Sequence, residues 1–191
     1  MTSSAPGPQP SMKITTTSLP GVLLLEPRVF RDARGFFLES FSEKAMASAG
    51  ILANFVQDNH SYSVQNVLRG MHYQVGHPQG KLVRVVRGEI FDVAVDLRKS
   101  SPTFGKWGGV TLSGDNFRML WIPAGFAHGF HVLSEDAHVL YKATDFYQPE
   151  CERTLAWNDP DVNINWRLDT TPNVSDKDAR GLPFREAEKF E

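Results

Sequence analysis

Four side chains in the middle of this 191-residue chain are of types that move or shelter charge near neutral pH: His72, Lys81, His128 and Tyr141. An imidazole takes up or releases a proton in that range. A phenol can return a proton to a carbanion or enolate, and an ammonium can stabilise a negative oxygen as a point charge. Each also has a plain structural reading. His72 suits a satisfied core histidine, Tyr141 a strand tyrosine whose hydroxyl meets solvent, and His128 a structural histidine. Asp176, in Val174-Ser175-Asp176-Lys177-Asp178, reads on its own as an ordinary helix-start carboxylate.

The elements that must position these groups are mostly strands. Phe91, Val93, Val95 and Leu97 alternate with Ile90, Asp92, Ala94 and Asp96, as a strand with two different faces requires. The β-branched run Lys81 to Arg87 precedes it, and Gly88-Glu89 reads as a tight turn, so the two runs are expected to form a hairpin. Further runs at 119–122, 130–133 and 138–143 are short and punctuated by Pro-Ala-Gly or Ser-Glu-Asp. Such spacing favours a sandwich, jelly roll or barrel. A helix is expected over 41–49, with Ser40-Phe41-Ser42-Glu43 as a capping box and Gly50 just past its end. A second short helix is expected from Ser175.

Composition removes several function classes. The single Cys151 rules out an intrachain disulfide and fits a reducing compartment. A formal net charge of −2 argues against a generally basic nucleic-acid or membrane surface. No apolar run approaches the roughly 18 residues of a membrane span. Met1 to Met12 are Ser, Pro, Gly and small types, expected to be a tail without signal-peptide character. Residues 13–191 are expected to form one domain, and a cytoplasmic location is the default.

Pro123-Ala124-Gly125-Phe126-Ala127-His128 resembles the second motif of cupins, which places a histidine inside a small jelly-roll barrel. Metal-binding cupins add two histidines and a glutamate from a first motif. Counting back from Gly88 puts Lys81 at that glutamate's position, and Gln74–His77, where the pair of histidines would fall, holds one. A cation cannot complete a cage of neutral and anionic ligands, so no metal is expected.

Longer stretches carry a more specific likeness. Leu68-Arg69-Gly70-Met71-His72-Tyr73-Gln74, Gln79 through Gly88, Phe91 through Arg98, Ser101-Pro102-Thr103-Phe104-Gly105 and Trp121 through Phe130 resemble the dTDP-4-dehydrorhamnose 3,5-epimerases, from about Lys13 to Pro183. The resemblance implies an all-β fold, a cupin-type jelly-roll β-barrel with a few short peripheral helices. It further implies a dTDP-4-keto-6-deoxyhexose substrate inverted at C3 and C5 without a cofactor. By the same resemblance His72 is the base, Asp176 its partner, Tyr141 the proton donor on the opposite face, and Lys81 the stabiliser of the enolate oxygen. Tyr147 is expected to stack on thymine, and Arg34 and Arg69 to grip the diphosphate. His128 is expected near the sugar or phosphate, with a structural role the alternative. Glu39, Gln57, Asp58, Asn59, Glu152 and Lys177 fall at further substrate-contacting positions, and Phe37 is expected to line the base or cover the site, with a core role the alternative. The N-terminal segment often contributes to a neighbouring subunit's site in the family, so the resemblance implies a homodimer with Arg34 and Glu39 acting in trans. His60, His77, His131 and His138 are read as structural or surface residues.

Three other functions compete with this one. A single-carbon epimerase of a related sugar would use the same groups. A non-catalytic sugar-nucleotide binder would not need His72, Tyr141 and a carboxylate together, and a metal-dependent cupin is opposed by Lys81.

Overall fold

The computed structural model describes residues 12–191. The tail expected over Met1 to Met12 lies outside these residues except for Met12, which opens the first strand. One antiparallel sheet runs in the order β1 (Met12–Thr16), β2 (Leu23–Pro27), β10 (Met119–Ile122), β7 (Lys81–Arg87), β12 (Asp136–Ala143) and β5 (Gln57–Val64). A second runs β13 (Glu152–Thr154), β6 (Leu68–Gln74), β11 (Phe126–Val132), β8 (Glu89–Asp96) and β9 (Trp107–Ser113). β3 (Val29–Asp32) and β4 (Gly35–Leu38) pair only with each other. The strand order is non-sequential in both sheets, as in a jelly roll.

The alternation over residues 90–97 marks a strand buried on both faces. Ile90 and Ala94 point between the sheets, among Val83, Val85, Leu120, Phe130 and Val139. Phe91, Val93 and Val95 point outward, where Leu155, Val162, Trp166 and Ala187 of the C-terminal segment cover them. The outer face of the six-stranded sheet is partly covered by α1 (Glu43–Ser48), through Met46 with Ile51 and Phe55. Ser42 is the N-cap, its Oγ accepting the Ala45 N–H. The helix therefore starts two residues later than the sequence suggested, and Phe41 instead meets Phe55 edge-on at 5.4 Å.

The expected hairpin of β7 and β8 does not form, because the two strands lie in different sheets. Gly88, at φ +78°, turns the chain from one wall of the barrel to the other, and a Cβ there would meet the Asp136 carbonyl oxygen at 1.9 Å. β7 pairs with β10 and β12, and β8 with β11 and β9. β11 begins at Phe126, earlier than the run at 130–133, and so carries His128 within the sheet. Among the described residues, no helix is long and apolar enough to cross a membrane.

Candidate active site

A cavity of about 360 Å³ opens between the two sheets. β5 lines it with Gln57, Asn59 and Ser61, every second residue. The same alternation sends Asp58 to the opposite face, where Lys142 Nζ binds its carboxylate at 2.9 Å. The expected substrate contact of Asp58 is therefore corrected: its side chain does not enter the cavity.

β6 departs from alternation, and the departure matters. Arg69 and His72 both line the cavity although they are three residues apart. Gly70 between them holds φ +123°, and the pairing of β6 with β11 shifts register between His128 and Phe130. The strands also approach closely here, since a Cβ on Gly70 would lie 2.6 Å from the Gly129 Cα. The irregular backbone thus turns a guanidinium and an imidazole toward the same space, with Arg69 steadied by the Ser63 hydroxyl at 2.8 Å.

His72 Nε2 is 2.6 Å from Asp178 Oδ1, and Oδ2 accepts the Gly70 N–H at 3.2 Å. The carboxylate is the third residue of α2 (Asp176–Ala179) and is buried. Its own N–H donates to the capping Ser175 Oγ at 3.1 Å. Asp176 occupies the first helical position and is exposed. The partner of His72 is therefore Asp178, not Asp176, because two residues of helix carry the side chain to the far side of the axis. Burial pushes the Asp178 carboxyl up, but the hydrogen bond and charge of His72, the Gly70 N–H and Lys177 outweigh it and hold the group below its ordinary range. An ionised carboxylate only accepts, so His72 donates from Nε2, and in the neutral ring Nδ1 is the nitrogen with the free lone pair.

Lys81 and Tyr141 stand on neighbouring strands, with the ammonium 5.9 Å from the ring centre. Burial pushes Lys81 down to about 8, against the pull of Glu152 and Asp92. It remains a cation at neutral pH. Burial, then the negative charge of Glu152, raises Tyr141, so the phenol holds its proton in the same range. At the rim, Glu152 accepts hydrogen bonds from Tyr147 Oη at 2.9 Å and Lys177 Nζ at 2.8 Å. The Tyr147 ring stays half exposed, with its N–H on Gln57 Oε1 at 3.0 Å.

His128 lies directly across from His72 in the β6–β11 pairing. Its Nε2 is 3.1 and 3.0 Å from the two oxygens of Asp92, a fully buried carboxylate that the sequence reading did not single out. The available signal was an acid in the middle of a strand, at the inward parity of Ile90 and Ala94, while the strand's other acids, Glu89 and Asp96, stand at its ends.

The hairpin residues are not brought to this cavity by their own chain. Arg34 is 90 % exposed and held by Asp32 at 2.5 Å, and Phe37 is exposed beside Phe30. Glu39 lines a separate depression with Ser42 and Lys44. The remaining histidines sit elsewhere: His60 against His138 at 3.0 Å, His77 on Asp145, and His131 between the Trp166 carbonyl and Asn66. Among the described residues, no group of three or more His, Cys, Asp or Glu is arranged to hold a metal ion.

An oriented imidazole, a protonated phenol and a cation around one cavity can exchange a proton on carbon beside a carbonyl. The chain is similar along nearly its whole length to proteins of that chemistry. The family model described as dTDP-4-dehydrorhamnose 3,5-epimerase matches residues 16–186. A Pseudomonas aeruginosa protein named dTDP-4-dehydrorhamnose 3,5-epimerase is 57% identical over 94% of this chain and 99% of its own length. The crystal structure of a Legionella pneumophila dTDP-6-deoxy-D-glucose-3,5-epimerase, in complex with dTDP-4-keto-L-rhamnose, superposes with a TM-score of 0.90 at 49% identity, covering 93% of this chain and 95% of that one. ChmJ, a 3'-monoepimerase from Streptomyces bikiniensis in complex with dTDP-quinovose, follows at 0.83 and 32%, covering 88% and 86%. On these grounds the chain belongs to the dTDP-4-dehydrorhamnose 3,5-epimerase family.

Proposed function

We propose that this protein converts dTDP-4-dehydro-6-deoxy-D-glucose to dTDP-4-dehydro-L-rhamnose, inverting C3 and C5 through an enolate and without a cofactor, in the formation of dTDP-L-rhamnose. The observation that carries the reading is the His72–Asp178 pair facing the same cavity as Lys81 and Tyr141. His72 Nδ1 removes a proton from the carbon beside the C4 ketone, and Asp178 stabilises the imidazolium that results. Lys81 shelters the enolate oxygen. Tyr141 returns a proton from the opposite face, and an enolate is basic enough to take it from a phenol. Arg69 and Lys177 bind the diphosphate, while Gln57, Asn59 and Glu152 hold the nucleoside and sugar. His128 faces the sugar, and Tyr147 presents its exposed ring to thymine.

Arg34, Phe37 and Glu39 complete the site of a second copy. Two features support a homodimer: the β3–β4 hairpin joins neither sheet, and β5 is a sheet edge exposing Tyr62 and Val64.

The test is incubation with dTDP-4-keto-6-deoxyglucose in heavy water, followed by NMR. Deuterium at C3 and C5 with inverted product is expected, and deuterium at C3 alone identifies a single-carbon epimerase. Absence of exchange at either carbon refutes the proposal. His72→Ala is expected to abolish exchange at both. Tyr141→Phe keeps measurable exchange but loses inverted product, because removal of the proton precedes its return.

A further inference from the structure

The barrel holds a second imidazole–carboxylate pair, His128 with Asp92, on the strands next to the first. The two histidines face each other across β6 and β11, yet their carboxylates come from opposite directions. Asp178 reaches His72 from the C-terminal helix, and Asp92 reaches His128 from within β8. Asp92 has no exposure at all, and a carboxylate so placed is costly unless it is bonded and its charge is matched. Its hydrogen-bond partner is His128 Nε2, and Lys81 lies near enough for the two charges to interact. Both of those groups line the cavity, while Asp92 does not.

We propose that Asp92 is a positioning residue of this site: it fixes the His128 ring with Nε2–H turned to the barrel floor and Nδ1 left for the substrate's sugar, and it supplies the counter-charge that keeps Lys81 cationic beside the enolate oxygen. The tautomer follows from geometry: both Asp92 oxygens lie within 3.1 Å of Nε2, the arrangement an N–H donor at that nitrogen satisfies. Among the described residues His128 Nδ1 has no hydrogen-bond partner, so that nitrogen is free for a ligand. Lys81 is surrounded by Asp92 on β8, Glu152 on β13, Lys177 on α2, Tyr141 on β12, His128 on β11 and His72 on β6. Of these only Asp92 and Glu152 favour the ammonium, and Glu152 is shared with Lys177 and Tyr147. Glu152 is the larger of the two influences, and Asp92 is the one that links Lys81 to the His128 ring.

The inference rests on the proposed epimerase reading, and the experiment separates the two. Wild type, Asp92→Asn, His128→Asn and the double variant are assayed with dTDP-4-keto-6-deoxyglucose across pH, and binding of dTDP is measured alongside. Asparagine keeps the shape and an acceptor oxygen but removes the charge. For Asp92→Asn, kcat is expected to fall about 10- to 100-fold, the scale of losing a carboxylate that orients a functional imidazole. The affinity for dTDP stays within about twofold, and the alkaline limb of kcat moves to lower pH as Lys81 loses its counter-charge. In the His128→Asn background the same change costs much less in kcat but still moves the alkaline limb. Losses that multiply in the double variant, or an unmoved alkaline limb, overturn the proposal. Should Asp92→Asn fail to fold, the ¹⁵N resonances of His128 in the wild type decide: a proton on Nε2 supports it, and a proton on Nδ1 alone overturns it. A wild type inactive in heavy water would instead defeat the epimerase reading itself.

Discussion

Replacing Lys81 by methionine should make the protein more stable and nearly inactive. The side chain sits in the barrel with its ammonium held at about 8 rather than the ordinary 10.5. The difference corresponds to about 3 kcal/mol of unfavourable charge burial at neutral pH, already net of the attraction to Glu152 and Asp92. Methionine is of similar length and carries no charge, so about 1–3 kcal/mol should be recovered after imperfect packing is allowed for. At this chain length each kcal/mol raises Tm by about 2–4 °C. The sign of the pH dependence is fixed by linkage. Between pH 8 and 10.5 the unfolded chain keeps the Lys81 proton while the folded one has lost it, so wild-type stability rises with pH in that window. The gap between variant and wild type should be constant below pH 8 and shrink above it. Thermal melts of both proteins from pH 7 to 10 measure this, and the loss of enolate stabilisation should lower kcat by about 10²–10³ in the same preparations. A variant that melts below wild type at pH 7, with a gap indifferent to pH, would falsify the reasoning.

Other outcomes follow from the same geometry. Asp178→Asn should lower kcat at least about 100-fold, whereas Asp176→Asn should leave it within about twofold; steady-state kinetics of the pair distinguish the two acids. Burial raises the Asp96 carboxyl, but bonds from Arg98, Ser101 and Thr103 override it and bring the group to about 2. That network contributes about 2 kcal/mol, present above the unfolded value of 3.8 and lost as pH falls through about 2. Acid unfolding of Asp96→Asn should therefore show a deficit at pH 7 that closes below pH 4. If Arg34 acts in trans, mixing unfolded Arg34→Ala and His72→Ala chains and refolding them together should restore about a quarter of wild-type activity, because half the dimers carry one intact site. Recovery of none would place Arg34 outside the partner's site.

The strands were legible where residue pattern and burial coincide. The stretch 90–97 is the clear case, since its apolar positions on one face meet the barrel core and on the other the C-terminal wrap. What joined the strands was not legible. Gly88-Glu89 has the composition of a hairpin turn, and a two-residue connection reads the same whether the next strand pairs or crosses to the other sheet. The site divided in the same way. His72, Lys81 and Tyr141 lie in long motifs and reach one cavity. Asp176 and Asp178 are the same residue type two positions apart, and only the docking of α2 onto β6 decides between them. Asp58 could have been excluded by strand alternation, as its neighbours Gln57 and Asn59 both point inward. Asp92 went unnoticed because an acid in an apolar strand ordinarily marks its solvent side, and here both sides are covered.

The separation of His72 and Asp178 by 106 positions in sequence gives the base an unusual dependence. Its partner arrives only when the last part of the polypeptide lies down across the outer face of the five-stranded sheet. A barrel without that segment in place lacks the carboxylate that orients His72. A cut that removes α2 should therefore extinguish turnover even where the strands of both sheets remain.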